Sequence, residues 1–182
     1  MRYAQIRSMD ISDGPGIRVA LYTQGCPIHC KGCHNQSTWD FNGGKEFNHD
    51  HNKLILDLCD KNYIAGLSIL GGEPLVNSNF QDLASLVEQF KIKYPNKTIW
   101  LWTGFDFINL LKTYAENNWF HIIVENLDVV VDGKFKEDVK DPNLKYCGSS
   151  NQRVINVKET LEKQKIILYK EEVKNITIKI GG

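Results

Sequence analysis

Apolar residues recur along this chain in short runs that alternate with longer stretches of helical spacing. Runs at residues 17–23, 67–70 and 98–102 predict strands, and residues 129–131 predict a further strand that begins near Leu127. The stretches between them carry apolar residues three and four positions apart, which is the pattern of amphipathic helices. These predicted helices cover residues 52–60, 79–93 and 106–115.

Strands that alternate with helices of this length imply right-handed parallel βαβ units and an α/β fold. In such folds ligands gather beyond the carboxyl ends of the strands. The polar and glycine-rich motifs of this chain all follow a predicted strand, and glycine there lets a backbone come close to a ligand. These motifs are the cysteine loop after residue 25, GGEP at 71–74, Thr103-Gly104, and Asp132-Gly133-Lys134.

Three cysteines lie within eight residues, at Cys26, Cys30 and Cys33. Their C-x3-C-x2-C spacing can supply three corners of a cubane iron–sulfur cluster and leave one iron open for chemistry. A structural zinc site is the alternative, with His29 or His34 as a fourth ligand. A disulfide framework is disfavoured, because the five cysteines are an odd number and 182 residues can form a core without disulfides.

Composition narrows the classes of function. The 182 residues fit a single domain, and the 22 basic and 22 acidic residues give a formal net charge of zero. This balance predicts no nucleic-acid or anionic-membrane partner. No segment has the length and apolarity of a transmembrane helix. The cysteine usage is that of a reducing cytoplasm, where we expect the protein to reside.

The cysteine spacing resembles that of the radical S-adenosylmethionine (radical SAM) superfamily. A closer resemblance is to the anaerobic ribonucleoside-triphosphate reductase activating proteins, and it runs from residue 1 to about residue 157. The motifs that carry it are 13–18 (DGPGIR), 25–39 (GCPIHCKGCHNQSTW), 71–75 (GGEPL), 100–105 (WLWTGF), 131–135 (VDGKF) and 148–153 (GSSNQR). His34 stands where this family usually has tyrosine, and Glu73 where aspartate is common.

The resemblance implies a partial, open (βα) barrel of the radical SAM type, with a parallel sheet. It implies a [4Fe-4S] cluster on Cys26, Cys30 and Cys33, with S-adenosylmethionine on the open iron. Reductive cleavage of that cofactor would yield a radical that abstracts hydrogen from a glycine of anaerobic ribonucleoside-triphosphate reductase. A flavodoxin-like or ferredoxin-like protein would be the electron donor.

The same resemblance assigns roles in cofactor binding. The backbone around Gly32, Cys33 and His34 is expected to contact the adenine. Gly71, Gly72 and Glu73 are expected to hold the methionine amino group, and a β-carbon at Gly72 would push into the space of that group. Asp132 is a further expected contact with cofactor or partner, and Thr103 another. No side-chain acid or base is required.

Residues outside these motifs have simpler interpretations. His49 and His51 fit the start of a helix, Cys59 fits the core, and Trp100 and Trp102 fit packing within a buried strand. Cys147 is interpreted as an incidental loop cysteine. Residues 1–157 are expected to form the main domain, and 158–182 a C-terminal extension of short β segments at 165–169 and 175–180 packed on it.

Two other functions fit part of the sequence. One is activation of another glycyl-radical enzyme, such as formate acetyltransferase, although such activases are often longer. The other is a non-catalytic iron–sulfur or zinc redox module. That module would explain the three cysteines but not the glycine motifs that follow three successive strands.

Overall fold

The computed structural model describes residues 1–171. Seven strands form one sheet, and five α-helices connect or flank them. The strands are β1 (Arg2–Asp10), β2 (Ile17–Thr23), β3 (Lys45–Glu46), β4 (Ile64–Gly71), β5 (Thr98–Trp102), β6 (Val129–Asp132) and β7 (Arg153–Asn156). The helices are α1 (His49–Cys59), α2 (Phe80–Lys93), α3 (Phe107–Thr113), α4 (Asn118–Asn126) and α5 (Val157–Lys163).

The sheet has the strand order β3-β1-β2-β4-β5-β6-β7. Its four central strands, β2, β4, β5 and β6, are parallel, whereas β1, β3 and β7 pair antiparallel at the two sides. Register aligns the carboxyl ends of the central strands, with Thr23 opposite Gly71 and Trp102 opposite Val131. This confirms the predicted α/β fold with a parallel centre in one domain. The antiparallel strands were not predicted.

One face of the sheet packs against the helices and forms the main core. Alternate strand residues such as Leu21, Ile69 and Leu101 are fully buried there, together with Leu83 and Phe90 of α2. Cys59 at the end of α1 belongs to the same core, as predicted. Burial of these side chains supplies the main hydrophobic stabilisation of the fold.

Helix α1 begins where the sequence places His49 and His51. The Asn48 side chain accepts hydrogen bonds from the backbone N–H groups of Asp50 and His51, and His51 Nδ1 accepts one from the Asn48 N–H. This reciprocal capping box satisfies amide groups that the first turn of a helix leaves free. The interpretation of both histidines as helix-start residues is therefore confirmed.

The opposite face of the sheet carries Arg18, a fully buried arginine. Its guanidinium donates to Ser68 Oγ (2.7 Å), to the Leu67 carbonyl (2.9 Å) and to both oxygens of Thr98 (2.9–3.0 Å). Burial lowers the pKa of Arg18 to about 10, although the group stays charged at neutral pH. The hydrogen bonds of this one side chain thus join β2 to β4 and to the first residue of β5. Trp100, on the same face, is buried as predicted.

The C-terminal extension differs from its prediction as short β segments. It opens with helix α5, in which Val157 and Thr160 are buried. The predicted strand at 165–169 is reduced to an isolated bridge between Leu168 and Ile155, which two backbone hydrogen bonds to β7 form. The predicted strand at 175–180 lies outside the described residues.

Helix α4 was also not predicted, although its Phe120, Ile123 and Val124 are buried. Across residues 1–171, none of the helices combines the length and apolarity needed to cross a membrane.

Candidate functional site

The carboxyl ends of the four parallel strands surround a cavity of about 190 Å³. Each strand contributes the motif that directly follows it, so the prediction that these motifs meet at one edge is confirmed. The cavity is lined by Cys26, Ile28, Cys30, Cys33, Asn35, Trp39, Leu70, Gly71, Gly72, Glu73, Trp102, Thr103, Gly104, Gly133, Phe135 and Gln152. The three clustered cysteines therefore face the glycine motif and Glu73 across a single space.

The cysteine loop is tied to the rest of the site by backbone hydrogen bonds at its base. The Gly25 N–H donates to the Thr38 carbonyl (2.8 Å) and the Cys26 N–H to the Trp39 carbonyl (3.1 Å). The Gly25 carbonyl accepts from the Glu73 N–H (2.8 Å), which joins the loop to the motif after β4. Gly25 adopts φ +93°, a conformation that glycine takes without strain.

Backbone N–H groups favour the thiolate form of these cysteines. The N–H groups of Ile28 and His29 lower the pKa of the Cys26 thiol, and the N–H group of Phe135 lowers that of the Cys30 thiol. Cys33 accepts from Asn35 at 3.3 Å. Burial raises the pKa of the Cys26 and Cys30 thiols, and these donors act against that rise because they favour the thiolate. Thiolates are the form in which cysteine binds metals.

The arrangement of the thiols bears on which metal group they could hold. The three cysteines are free and line one cavity wall. Within residues 1–171, no three histidine, cysteine, aspartate or glutamate side chains come close enough together to hold a single metal ion. A [4Fe-4S] cluster is held instead by thiolates spread around several irons.

Glu73 is a buried carboxylate in this cavity, with 1% of its surface exposed. Its Oε1 accepts from the Leu75 N–H (2.9 Å) and from the Thr103 hydroxyl (2.7 Å). Its Oε2 accepts from the Gly104 N–H (2.8 Å). Burial raises the pKa of Glu73 to about 7, while these three donors lower it. The side chain carries no ion pair among the described residues, so a cationic ligand would supply a missing counter-charge.

Gly72 is required for a reason beyond the expected one. A β-carbon there would lie 2.4 Å from the Gly25 carbonyl oxygen and 3.0 Å from that of Thr38. It would therefore strike the base of the cysteine loop, and the expectation that it would push into ligand space stays a prediction. Gly71 is similarly close to β2, where a β-carbon would lie 2.7 Å from the Thr23 nitrogen.

Asp132 is fully buried and lies outside the cavity lining. Its Oδ1 accepts from Arg153 Nε (2.9 Å) and its Oδ2 from the Phe107 N–H (2.9 Å) at the start of α3. The carboxylate therefore joins β6 to β7 and α3. Its neighbour Gly133 lines the cavity in its place.

Gly32 and His34 lie at the exposed rim of the cysteine loop. His34 lines an adjoining cleft of about 380 Å³, together with Asp13, Cys33, Phe135 and Cys147. The structure thus brings Cys33 to both spaces and leaves His34 beside the cavity.

Comparison with known proteins agrees with this geometry. Residues 12–155 match the family described as "4Fe-4S single cluster domain". A protein of Salmonella typhimurium, named anaerobic ribonucleoside-triphosphate reductase-activating protein, is 41% identical over 85% of this chain and 97% of its own length. A protein of the same name from Escherichia coli K12 is 40% identical, and the match covers 85% of this chain and 97% of that protein. Another, from Enterobacteria phage T4, is 36% identical, and the match covers 85% of this chain and 93% of that protein.

The chain belongs to the anaerobic ribonucleoside-triphosphate reductase-activating protein family. Membership confirms the resemblance drawn from the sequence motifs. The coverage figures also show that this chain is longer than the bacterial and phage members it matches.

Several cavity residues received no role from the sequence. Phe135 and Gln152 line the cavity, and the Phe135 N–H also favours the thiolate form of Cys30. Both lie in motifs that carried the family resemblance, at 131–135 and 148–153, and that was the only available signal. Trp39 lines the cavity as well, and its ring is stacked on the His29 ring with 4.4 Å between the ring centroids.

Proposed function

We propose that this chain is a radical SAM activase that generates a glycyl radical on anaerobic ribonucleoside-triphosphate reductase. One observation carries the proposal. The three cysteine thiols and the buried Glu73 face a single cavity at the carboxyl edge of a parallel sheet. Thiolates on one side and an acceptor for an amino group on the other fit a cluster with an amino-acid cofactor beside it.

Cys26, Cys30 and Cys33 would hold the [4Fe-4S] cluster. Because they are three ligands for four irons, one iron would stay open to the amino and carboxylate groups of S-adenosylmethionine. When bound, the reduced cluster and S-adenosylmethionine supply the radical that removes a hydrogen atom from the target glycine. The chain itself supplies position and a dry environment, with Ile28, Trp39 and Trp102 among the apolar walls.

Glu73 would accept a hydrogen bond from the amino group of the cofactor, whose nitrogen lone pair would bind the open iron. Thr103 and Gly104 fix the two oxygens of Glu73, so the carboxylate is already oriented before a ligand arrives. A charge-assisted hydrogen bond in this buried place is stronger than one at the surface. Gly71 and Gly72 would let the chain pass close to the same group, and Gly32, Cys33 and His34 would lie toward the adenine.

Asp132 has a different role in this proposal from the contact expected of it. Its carboxylate is engaged by Arg153 and Phe107, so it would act on the cofactor through the loop that begins at Gly133. The flavodoxin-like or ferredoxin-like electron donor, the cytoplasmic location and the open-barrel description of the sheet remain parts of the proposal.

The reductase is proposed as the partner because the relatives that match most of this chain are named as its activators. Formate acetyltransferase is the competing target. A zinc redox module is less well supported, because the thiols line a cavity wall and the buried Glu73 would have no part in it.

The deciding experiment is anaerobic reconstitution followed by iron and sulfide analysis and electron paramagnetic resonance. We expect about four irons and four sulfides per chain. With reductant and S-adenosylmethionine, a glycyl-radical doublet should form on the reductase and little signal on formate acetyltransferase. Cys30→Ala should lose the cluster, whereas the matched variant Cys147→Ala should keep it. Tightly bound zinc without sulfide, or a signal on formate acetyltransferase alone, would overturn the proposal.

A further inference from the structure

The motif at residues 148–153 makes contacts that explain its presence. Four of its side chains bind successive groups of the loop at 132–136, which follows β6. Ser149 Oγ accepts a hydrogen bond from the Lys136 N–H (3.1 Å). The side-chain amides of Asn151 and Gln152 donate to the carbonyls of Lys134 (2.9 Å) and Gly133 (3.0 Å), respectively. Arg153 Nε donates to Asp132 Oδ1 (2.9 Å). We call residues 149–153 the clamp and residues 132–136 the clamped loop.

Gln152 is held at both ends of its side-chain amide. While Nε2 donates to the clamped loop, Oε1 accepts from the N–H groups of Gly148 (2.8 Å) and Ser149 (3.2 Å). The two ends have opposite hydrogen-bonding roles, so the amide has one favourable orientation. Ser149 is fully buried beside it. The clamp therefore fixes the backbone of the loop more tightly than a surface turn would.

The clamped loop reaches the cysteines through Phe135. Phe135 and Cys30 both line the cavity, and the Phe135 N–H and the Lys134 ammonium both favour the thiolate form of Cys30. The N–H groups that favour the Cys26 thiolate belong to Ile28 and His29 of the cysteine loop itself, and Cys33 accepts a hydrogen bond from the Asn35 N–H of the same loop. Among these contacts within residues 1–171, the one that acts on Cys30 comes from a different strand end, in the loop that the clamp holds.

We propose that the clamp is a positioning device for the iron–sulfur cluster, which holds the Phe135 N–H on the Cys30 sulfur and thereby raises the cluster's reduction potential. This inference rests on the proposed function, since it requires the cluster on Cys26, Cys30 and Cys33. Hydrogen bonds to cluster sulfurs are one of the means by which proteins set the potential. A donor on a thiolate stabilises the reduced cluster more than the oxidised one, because reduction adds negative charge.

A clamp that only stabilised the sheet edge would leave the potential unchanged, and this difference gives the test. Gln152→Ala and Asn151→Ala each remove contacts to the clamped loop without changing the net charge. Asn143→Ala is the matched control, because Asn143 is a neighbouring asparagine whose hydrogen bonds go to Asp141. Phe135→Pro removes the N–H itself, and Phe135→Leu keeps the N–H while it removes the ring.

The reconstituted proteins are titrated with dithionite and mediators, and the reduced cluster is followed by electron paramagnetic resonance. We expect Gln152→Ala and Phe135→Pro to retain iron and sulfide but to lower the reduced-to-oxidised ratio about tenfold at a fixed solution potential. That change corresponds to a shift of about 59 mV in the negative direction for one electron. Asn151→Ala should shift the potential in the same direction, Phe135→Leu should shift it less than Phe135→Pro does, and Asn143→Ala should match the wild type.

Full cluster content with wild-type potentials in Gln152→Ala and Asn151→Ala would overturn the inference and leave the proposed function intact. These two variants decide the matter should Phe135→Pro fail to fold. Absence of iron and sulfide from the wild type would instead overturn the proposed function, and the inference with it.

Discussion

Replacement of Glu73 by glutamine tests the electrostatics of the site before any cofactor is added. Burial raises the pKa of this carboxyl from 4.5 to about 7. Below pH 4.5 the group is protonated in both the folded and the unfolded chain, so its burial carries no charge penalty. As the pH rises from 4.5 to 7, the unfolded chain releases the proton first, and the folded state loses stability relative to it.

The magnitude follows from the shift. A difference of about 2.5 pKa units at 1.36 kcal/mol per unit makes the ionised carboxylate about 3 kcal/mol less favourable in the folded chain than in the unfolded one. Glutamine has no such titration. Its amide would replace an acceptor facing the Gly104 N–H by a donor, but that penalty is independent of pH. The two proteins should therefore differ in the pH dependence of their stability.

The assay is urea denaturation of the cluster-free protein under anaerobic, reducing conditions between about pH 4.5 and pH 8. The free energy of unfolding of Glu73→Gln should gain on that of the wild type by about 3 kcal/mol across this interval. The matched control is Glu88→Gln on α2, an exposed carboxylate, which should track the wild type. Parallel curves for wild type and Glu73→Gln would show that the carboxylate is not desolvated as the structure indicates.

Three further predictions concern single contacts. Gly72→Ala should destabilise the fold by about 1–3 kcal/mol and lower the iron content after reconstitution, because its β-carbon would meet the Gly25 carbonyl at 2.4 Å; wild-type iron content in a normally stable variant would contradict this. Thr103→Val should weaken equilibrium binding of S-adenosylmethionine about five- to tenfold through loss of the hydroxyl on Glu73, while Thr103→Ser should bind nearly as the wild type; equal affinities would remove Thr103 from the site. Cys59→Ala should lower the urea midpoint through loss of buried volume but leave iron and sulfide unchanged; iron loss in a folded variant would contradict the ligand assignment.

The sequence predicts the central fold well because its signals there are local. Strands 17–23 and 98–102 have the bounds predicted, since both are mainly apolar runs that a glycine or polar motif follows. Parallel strands place their carboxyl ends at one edge, so the motifs that follow them had to meet. The cysteines and Glu73 share a cavity for this reason.

The remaining features depend on partners distant in the sequence. Whether Asp132 faces a ligand or turns away is decided by Arg153 on β7, a strand that was not predicted. The requirement for glycine at position 72 comes from the carbonyls of residues 25 and 38, which only the folded chain brings within contact. Short antiparallel edge strands such as β7 carry too few apolar positions to be recognised from periodicity, and so their consequences for the site could not be foreseen.

The cysteine loop is short, yet its attachments reach three of the four central strand ends. Its base is joined to the motif after β4 by the hydrogen bond from the Glu73 N–H to the Gly25 carbonyl, and Cys30 is joined to the loop after β6 through Phe135. Because of these attachments, a thiol of the cysteine loop cannot change its position unless Glu73 or the clamped loop moves as well. Because the free energy of metal binding stabilises the folded arrangement of the ligands, binding of a cluster would stabilise these three strand ends together. The same connections explain why residues as far apart as Gly72 and Gln152 are both expected to affect the cluster, the first through its occupancy and the second through its potential.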